Sequence, residues 1–279
     1  MSLLPSARTL VLFVILVLAA LRGGAGHAQT PLIALDTTDA GRDFAAVGRL
    51  DLDGRGFCTA TLVAEDLVLT AAHCLFDRRS GARLPLAGLT FMPGFRNGSA
   101  AAYRAVRRAA VDPRYRLRDP DPVTRVGADL ALLELSQPIR VAGIAPLGVA
   151  ERTPGLTDVS VVSYAREREQ APSLERSCSV LTEEERAQVL SCDVDFGASG
   201  APVFRSLGGV PELVAVVSAK AVWEGRRVAL ASRIEDRVGR LADLLAPDGP
   251  EPGRVMAGSA VGTAGRVMQG GSAVKFLRP

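Results

Sequence analysis

From Phe44 onward the chain is a succession of short runs, each apolar or alternating, cut from the next by clusters of Gly, Pro, Asp and Arg: FAAVGRL, GFCTATLV, LVLT, LTFM, YRAVRRAAV, DLALLEL, VSVVSYA, SCSVL, QVLSCDV, PVFRSL, LVAVVSAKA and VALASRI. Runs this short fall below the roughly 10 residues a packed helix needs, and their β-branched content reads as strand. So many at this spacing predict an all-β barrel or sandwich rather than alternating βα units. A Pro- and Gly-bearing connection over residues 136–158 divides the series into halves of about 40–135 and 159–233, the pattern of two packed barrels and a crossing linker. After Arg233, Ile234, Val238, Leu241, Leu244 and Leu245 recur at helical spacing, which predicts one amphipathic helix closing the fold. Residues 247–279 are rich in Gly, Ala and Pro without a period and read as a disordered tail. Its end, AVKFLRP, has two readings, a loose terminus or a docking segment.

Ahead of the strands, Arg8, the apolar run from Leu10 to Leu21 and the small residues of GAGHA form the pattern of a secretory signal peptide over residues 1–28. The run is short of the roughly 20 apolar residues that span a bilayer. Cleavage after Ala28 is expected, with an uncleaved anchor as the other reading. The mature protein is then secreted or periplasmic, without stable membrane insertion, and its folded domain covers 29–246. Losing Arg8 and Arg22 lowers the formal charge of +3 by two. A chain so near neutrality, with its arginines interspersed among acids, gives no electrostatic footprint for nucleic acid. Four cysteines, Cys58, Cys74, Cys178 and Cys192, fall into two locally spaced pairs, which in an exported chain favours two disulfides over a metal site. Zinc would want a C-x-x-C type cluster or further histidines, so no metal and no cofactor are expected. A Cys58–Cys74 bridge would close a loop of about 16 residues and stabilise by roughly 3 kcal/mol. Cys178 and Cys192 flank SVLTEEERAQVLS, two strand-like pieces around a charged loop, the setting of a cross-strand disulfide.

The chain has two histidines, and His27 lies in the expected leader, so the mature protein keeps one imidazole, His73, in LTAAHC. The strand LVLT delivers it to a short turn before Cys74. Asp129 heads GADLALLEL, where a period of two sends Ala131, Leu133 and Leu135 to its own face. A carboxylate bordering an apolar face needs a partner, and an imidazole N–H is one. Ser199 lies in CDVDFGASGAPVF between Gly197, Ala198, Gly200 and Ala201, small residues that allow a tight turn and close approach of a substrate carbonyl. Such a turn can aim the amides of Gly197 and Ser199 at one point, an oxyanion hole worth about 10²–10³ in rate per donor. A serine hydroxyl is a poor nucleophile until a base with a pKa near neutrality takes its proton, which imidazole does. Each residue alone has a plain structural reading: a packed histidine, a strand-start aspartate, a linker serine. Their order, His then Asp then Ser, and the local GASGA exclude the α/β-hydrolases, which run Ser, Asp, His and carry G-x-S-x-G.

Together these stretches resemble the chymotrypsin-like (trypsin-like) serine endopeptidases. FCTATLVAEDLVLTAAHC looks like the histidine segment, VDPRY followed by ADLALLEL like the aspartate segment, and GASGAPVF like the serine segment, over roughly Phe44 to Leu245. Within that family the chain is most similar to the secreted bacterial, glutamyl-endopeptidase-like branch, on CDVDFGASGAPVF. The resemblance implies two packed antiparallel six-stranded β-barrels with a C-terminal helix, the site at their junction, and a protein or peptide substrate. It implies His73 as general base, Asp129 as its orienting carboxylate and Ser199 as the acylated nucleophile. It also places Ser218, Ala219 and Lys220 of VVSAKA on the strand that holds the peptide main chain, and Asp193 at the floor of the primary pocket. There Asp193 either selects Arg or Lys or belongs to a structural loop, and the lack of a second histidine weighs against a glutamate preference. Departures from the family pattern are Ala60 and Ala201, where glycine is usual, and Ala198, where animal enzymes carry an Asp that receives a freshly cut N-terminus. Two rival readings follow: a catalytically idle protease-like binding module of the cell envelope, and an enzyme whose oxyanion hole forms after trimming of residues 29–43.

Overall fold

The computed structural model describes residues 31–151, 155–205, 211–246 and the pair Lys275–Phe276. The leader expected over 1–28 and nearly all of the tail expected over 247–279 lie outside the described residues. In chain order the strands are β1 (Ile33–Ala34), β2 (Val47–Leu52), β3 (Phe57–Ala64), β4 (Leu67–Thr70), β5 (Leu89–Pro93), β6 (Arg104–Val111), β7 (Ala131–Leu135), β8 (Gly148–Val149), β9 (Asp158–Ser163), β10 (Ser173–Glu184), β11 (Ala187–Leu190), β12 (Pro202–Arg205), β13 (Glu212–Trp223), β14 (Arg226–Arg233) and β15 (Lys275–Phe276). Helix α1 (Pro122–Gly127) precedes β7, and α2 (Arg237–Leu245) follows β14.

Strands β2-β3-β4-β7-β6-β5 close into one antiparallel barrel. Strands β9-β10-β11-β14-β13-β12 close into a second, because β9 pairs with β12 on one side and with β10 on the other. Closure removes the unpaired edges that an open sheet of short strands would leave. The fold is therefore the expected pair of six-stranded barrels, with the helix at the C-terminal end. Additions hang on the second barrel: β1 on β10, β8 in parallel on β13, and β15 on β13 through Ala221 and Val222.

The alternation expected of DLALLEL is real in register but not in burial, since every residue of β7 is buried. Its second face is covered because α2, although it follows the second barrel, packs on β6 and β7 of the first. Leu241 and Leu245 of α2, with Ile234 just ahead of it, enter the same apolar core as Leu50, Leu62, Leu69, Phe91 and Leu133. Arg237 at the start of α2 forms a buried ion pair of 2.8 Å with Asp112 of the first half. Burial pulls its guanidinium down to about 10, against the opposing pull of the Asp112 charge. Glu134 is the one acid inside β7, where burial opposes its charge. Hydrogen bonds from Arg108 and Arg107 outweigh that penalty and hold its carboxyl below the ordinary range. Both disulfides are formed as paired in the sequence, Cys58–Cys74 and Cys178–Cys192. No described helix is long and apolar enough to cross a membrane.

Candidate active site

Strand β4 ends at Thr70, and a single 3-10 turn over Ala72–Leu75 carries His73 out of the first barrel. The Cys58–Cys74 bridge ties that turn to β3. Asp129 sits between α1 and β7. The side chain of Asp121 caps α1 by accepting from the amides of Val123 and Thr124, and Pro122 begins it, so the segment delivering Asp129 has a fixed start.

Both oxygens of the Asp129 carboxylate are engaged. Its Oδ1 accepts from the His73 backbone N–H at 2.8 Å, and its Oδ2 accepts from His73 Nδ1 at 2.7 Å and from the Ser218 hydroxyl at 2.5 Å. The carboxylate is 3% exposed and the imidazole 14%. Because both Asp129 oxygens only accept, Nδ1 of the neutral ring carries the proton and the Nε2 lone pair is left for the cavity.

Ser199 lies on the loop from Cys192 to β12, reversed at two glycines with positive φ, Gly197 at 102° and Gly200 at 81°. Glycine is required at both for space as well as for conformation. A Cβ on Gly200 would come within 2.1 Å of Thr70 Oγ1 and 2.2 Å of the Thr59 carbonyl, and one on Gly197 within 2.3 Å of the Phe57 ring. The intervening amides are taken: Ala198 N–H donates to Asp195, Gly200 N–H to Val217, and Ala201 N–H back to Ala198. The amides of Gly197 and Ser199 donate to no acceptor among the described residues.

His73, Asp129, Ser199 and Ser218 line one cavity of about 630 Å³, together with Val194, Asp195, Phe196, Val217, Ala219 and Lys220 on one wall and Arg78, Tyr115, Leu117, Arg118 and Arg125 on the other. The Cys74 sulfur lies 4.0 Å from both His73 Nε2 and the Ser199 carbonyl oxygen. No hydrogen bond joins the Ser199 hydroxyl to Nε2 among the described residues. The structure thus joins His73 to Asp129 directly and sets Ser199 facing the same space.

The four residues expected to touch substrate divide. Ala219 and Lys220 line the cavity, and the Lys220 ammonium lies 3.7 Å above the Phe196 ring and donates to Asp195 at 2.5 Å. Ser218 lines it too, but its hydroxyl is turned to Asp129. Asp193 does not line this cavity. It borders an adjoining space of about 160 Å³ beside Arg166, Arg168 and Cys192, and Val194, Asp195 and Lys220 line both. The backbone there is held at two points: Cys192 by its disulfide, and the Asp193 amide, which donates to Glu175 Oε2 at 2.8 Å. Glu175 itself is 2% exposed, its other oxygen has no partner among the described residues, and burial pushes its carboxyl up to about 7 although the Asp193 amide pulls the other way.

Cys58 and Cys74 with His73, and Cys178 and Cys192 with Glu175, each bring possible ligand atoms together, but disulfide sulfurs are not thiolates and neither group is a metal site. Sequence reasoning missed Thr59 and Glu175. Thr59 is fully buried, and its side chain bonds to the carbonyl of Gly197. The signal available was a pair of threonines, Thr59 and Thr61, both buried in an apolar strand, and it did not tell one from the other.

Residues 58–215 match the family model described as trypsin-like peptidase domain. A glutamyl endopeptidase of Bacillus licheniformis is 28% identical over 151 residues, which cover 53% of this chain and 45% of that protein, so the match spans about half the length of the relative. Among solved structures, a Glu endopeptidase in complex with MPD superposes with a TM-score of 0.63 at 17% identity, covering 78% of this chain and 97% of the other. A thermostable serine protease, AL20, from an extremophilic microorganism gives 0.57 at 18%, with coverage of 72% and 96%. At those identities the two structures speak for the double-barrel fold.

Proposed function

The chain belongs to the trypsin-like peptidase domain family, and from that premise we propose that it is a serine endopeptidase that cuts peptide bonds through an acyl-enzyme, with Ser199 as nucleophile, His73 as general base and Asp129 as orienting carboxylate. The observation that carries the reading is the Asp129 carboxylate engaged at both oxygens, which fixes both the ring and the tautomer of His73. A substrate strand has a place to lie. Strand β12 leaves β13 after Val216 while β14 covers the other edge as far as Trp223, so from Ser218 to Lys220 one edge of β13 is paired to no strand among the described residues. A peptide added there sets its scissile carbonyl over the Gly197 and Ser199 amides.

His73 Nε2 then takes the proton of the Ser199 hydroxyl as Oγ bonds to the carbonyl carbon, and the carbonyl oxygen becomes an oxyanion held by the two amides. Collapse breaks the C–N bond, and the imidazolium gives its proton to the leaving amine. Water enters, loses a proton to Nε2 and attacks the ester, releasing the acid and restoring the serine. The open distance between Ser199 and Nε2 in the free chain is usual for such a pair, which tightens when substrate excludes water.

The wall beside Ser199 is apolar at Val194, Phe196, Val217 and Ala219, and the Lys220–Asp195 pair at its rim neutralises itself. The relative is named for action at glutamyl bonds; here such a side chain meets a cation on that wall when Lys220 releases Asp195. With Asp193 lining the adjoining space instead, a preference for Arg or Lys would rest on Asp195, which Lys220 already engages. Residues 1–28 act as the export leader of a protease domain over 29–246, and two formed disulfides fit an oxidising compartment.

An organophosphonate probe tests the reading. It should label Ser199, and His73→Ala should abolish the labelling while circular dichroism shows the variant still folded. Labelling at full rate in His73→Ala removes the mechanism; an unlabelled, non-hydrolysing wild type favours the idle binding module.

A further inference from the structure

We infer that Thr59 is the positioning residue of the nucleophile loop, holding the oxyanion amides in place from the first barrel where Ala198 provides no carboxylate for an ion pair. The inference rests on the protease reading for its catalytic consequence, but its structural part stands on the loop itself.

The residue before the nucleophile, Ala198, is fully buried and has no charge to offer. The first described strand does not reach the loop either, since Ile33 and Ala34 pair with Leu174 and Ser173 of β10. A loop with two positive-φ glycines has many alternatives in solution and needs something to hold it. The hold is in the carbonyls. Phe196 O accepts from the Arg166 amide at 2.6 Å and Ala198 O from the Ala201 amide at 2.9 Å. Gly197 O accepts from the Thr59 hydroxyl at 2.9 Å and Ser199 O from the Thr59 amide at 2.8 Å. All four successive carbonyls are occupied, two of them by this one residue.

A trans peptide points its N–H opposite its C=O. Fixing Phe196 O against Arg166 therefore turns the Gly197 N–H the other way, and fixing Ala198 O turns the Ser199 N–H the other way, which matches the two amides found without a protein acceptor. Thr59 holds the carbonyls of the peptides between and after them, so turning either hole amide breaks the bond at its own carbonyl and strains a neighbouring peptide that Thr59 fixes. Thr59 is itself fixed: its hydroxyl accepts from the Tyr164 amide at 3.1 Å and its carbonyl from the Thr70 hydroxyl at 2.9 Å. With every partner inside the folded barrels, the hole is formed without a new N-terminus.

The test uses Thr59→Val, which keeps shape and backbone but removes the hydroxyl, beside Thr59→Ser, which restores it. The first should lower kcat roughly 10- to 100-fold with KM changed less than about twofold, and weaken a peptide boronate by a matching factor; the second should recover most of both. Hydrogen exchange followed by mass spectrometry should show residues 193–201 exchanging faster in Thr59→Val than in wild type or Thr59→Ser, with β14 unchanged. Protein carrying extra residues ahead of Gln29 should turn over substrate as fast as protein beginning there. Unaltered exchange in Thr59→Val overturns the inference whether or not the chain hydrolyses anything. So does activity that appears only after the extension is removed. Absent hydrolysis and labelling in wild type, with the exchange difference intact, would instead reject the protease reading and leave the loop assignment standing.

Discussion

The two sides of the cavity are built in opposite ways. On the first-barrel side both oxygens of the Asp129 carboxylate are engaged, and His73 is fixed because it donates to each of them. On the second-barrel side the carbonyls of residues 196–199 are all filled, yet the amides of Gly197 and Ser199 are kept without an acceptor. A base needs one tautomer and one orientation, which engaging both oxygens gives. A site that receives negative charge during reaction needs donors already aimed and unspent, which only a loop held by its other atoms can keep.

That contrast breaks most severely at the first-barrel side. Asp129→Asn keeps the shape but lets the ring adopt the wrong tautomer, and kcat should fall about 10⁴-fold in steady-state kinetics with KM little altered. A loss under tenfold would mean that the carboxylate does not set the tautomer. Ser218→Ala removes one of three donors from the same carboxylate and sharpens the comparison. We expect about a tenfold loss in kcat, measured on the same substrate, because two donors from His73 remain. An equal fall in both variants would make Ser218 as decisive as Asp129 and contradict this ranking.

An effect on stability with little expected on rate lies beneath the open side, at Glu175 under Asp193. Its folded carboxyl is raised to about 7 from an ordinary 4.5, so the native state holds the proton longer than the unfolded chain. This group's contribution is most favourable below about pH 4.5 and is lost as pH climbs toward 7. Glu175→Gln keeps an acceptor for the Asp193 amide and removes the titration. At pH 8 it should be more stable than wild type by about 1–3 kcal/mol in denaturant melts, the gap closing as pH falls to 4.5. A gap independent of pH would show that Glu175 is already ionised or ion-paired.

The barrels, both disulfides and the positions of His73, Asp129 and Ser199 were legible because each is announced locally, by period, spacing or neighbouring small residues. What was not legible depends on contacts that no window of sequence spans. Thr59 and Gly197 are 138 residues apart, and Ser218 and Asp129 are 89 apart. FCTATLV reads as a strand but does not tell which partner Thr59 meets, since Cys58 to Leu62 are buried on both faces. The surroundings of Asp193 were not legible for a related reason: counting back from Ser199 gives the loop but not what its backbone meets, here the buried Glu175 and the Cys178–Cys192 bridge. The α2 helix was foreseen, but its docking on the first barrel through Arg237 and Asp112 was not.

The account joins its two sides at one atom, the oxyanion. A crystal structure of the protein after reaction with a peptidyl phosphonate tests it most directly. It predicts phosphorus bonded to Ser199 Oγ, one phosphonyl oxygen about 2.7–3.1 Å from both the Gly197 and Ser199 amides, and His73 Nε2 within hydrogen-bond reach of the adduct. An adduct whose oxygen faces solvent, with those amides turned away or the imidazole out of reach, would contradict it.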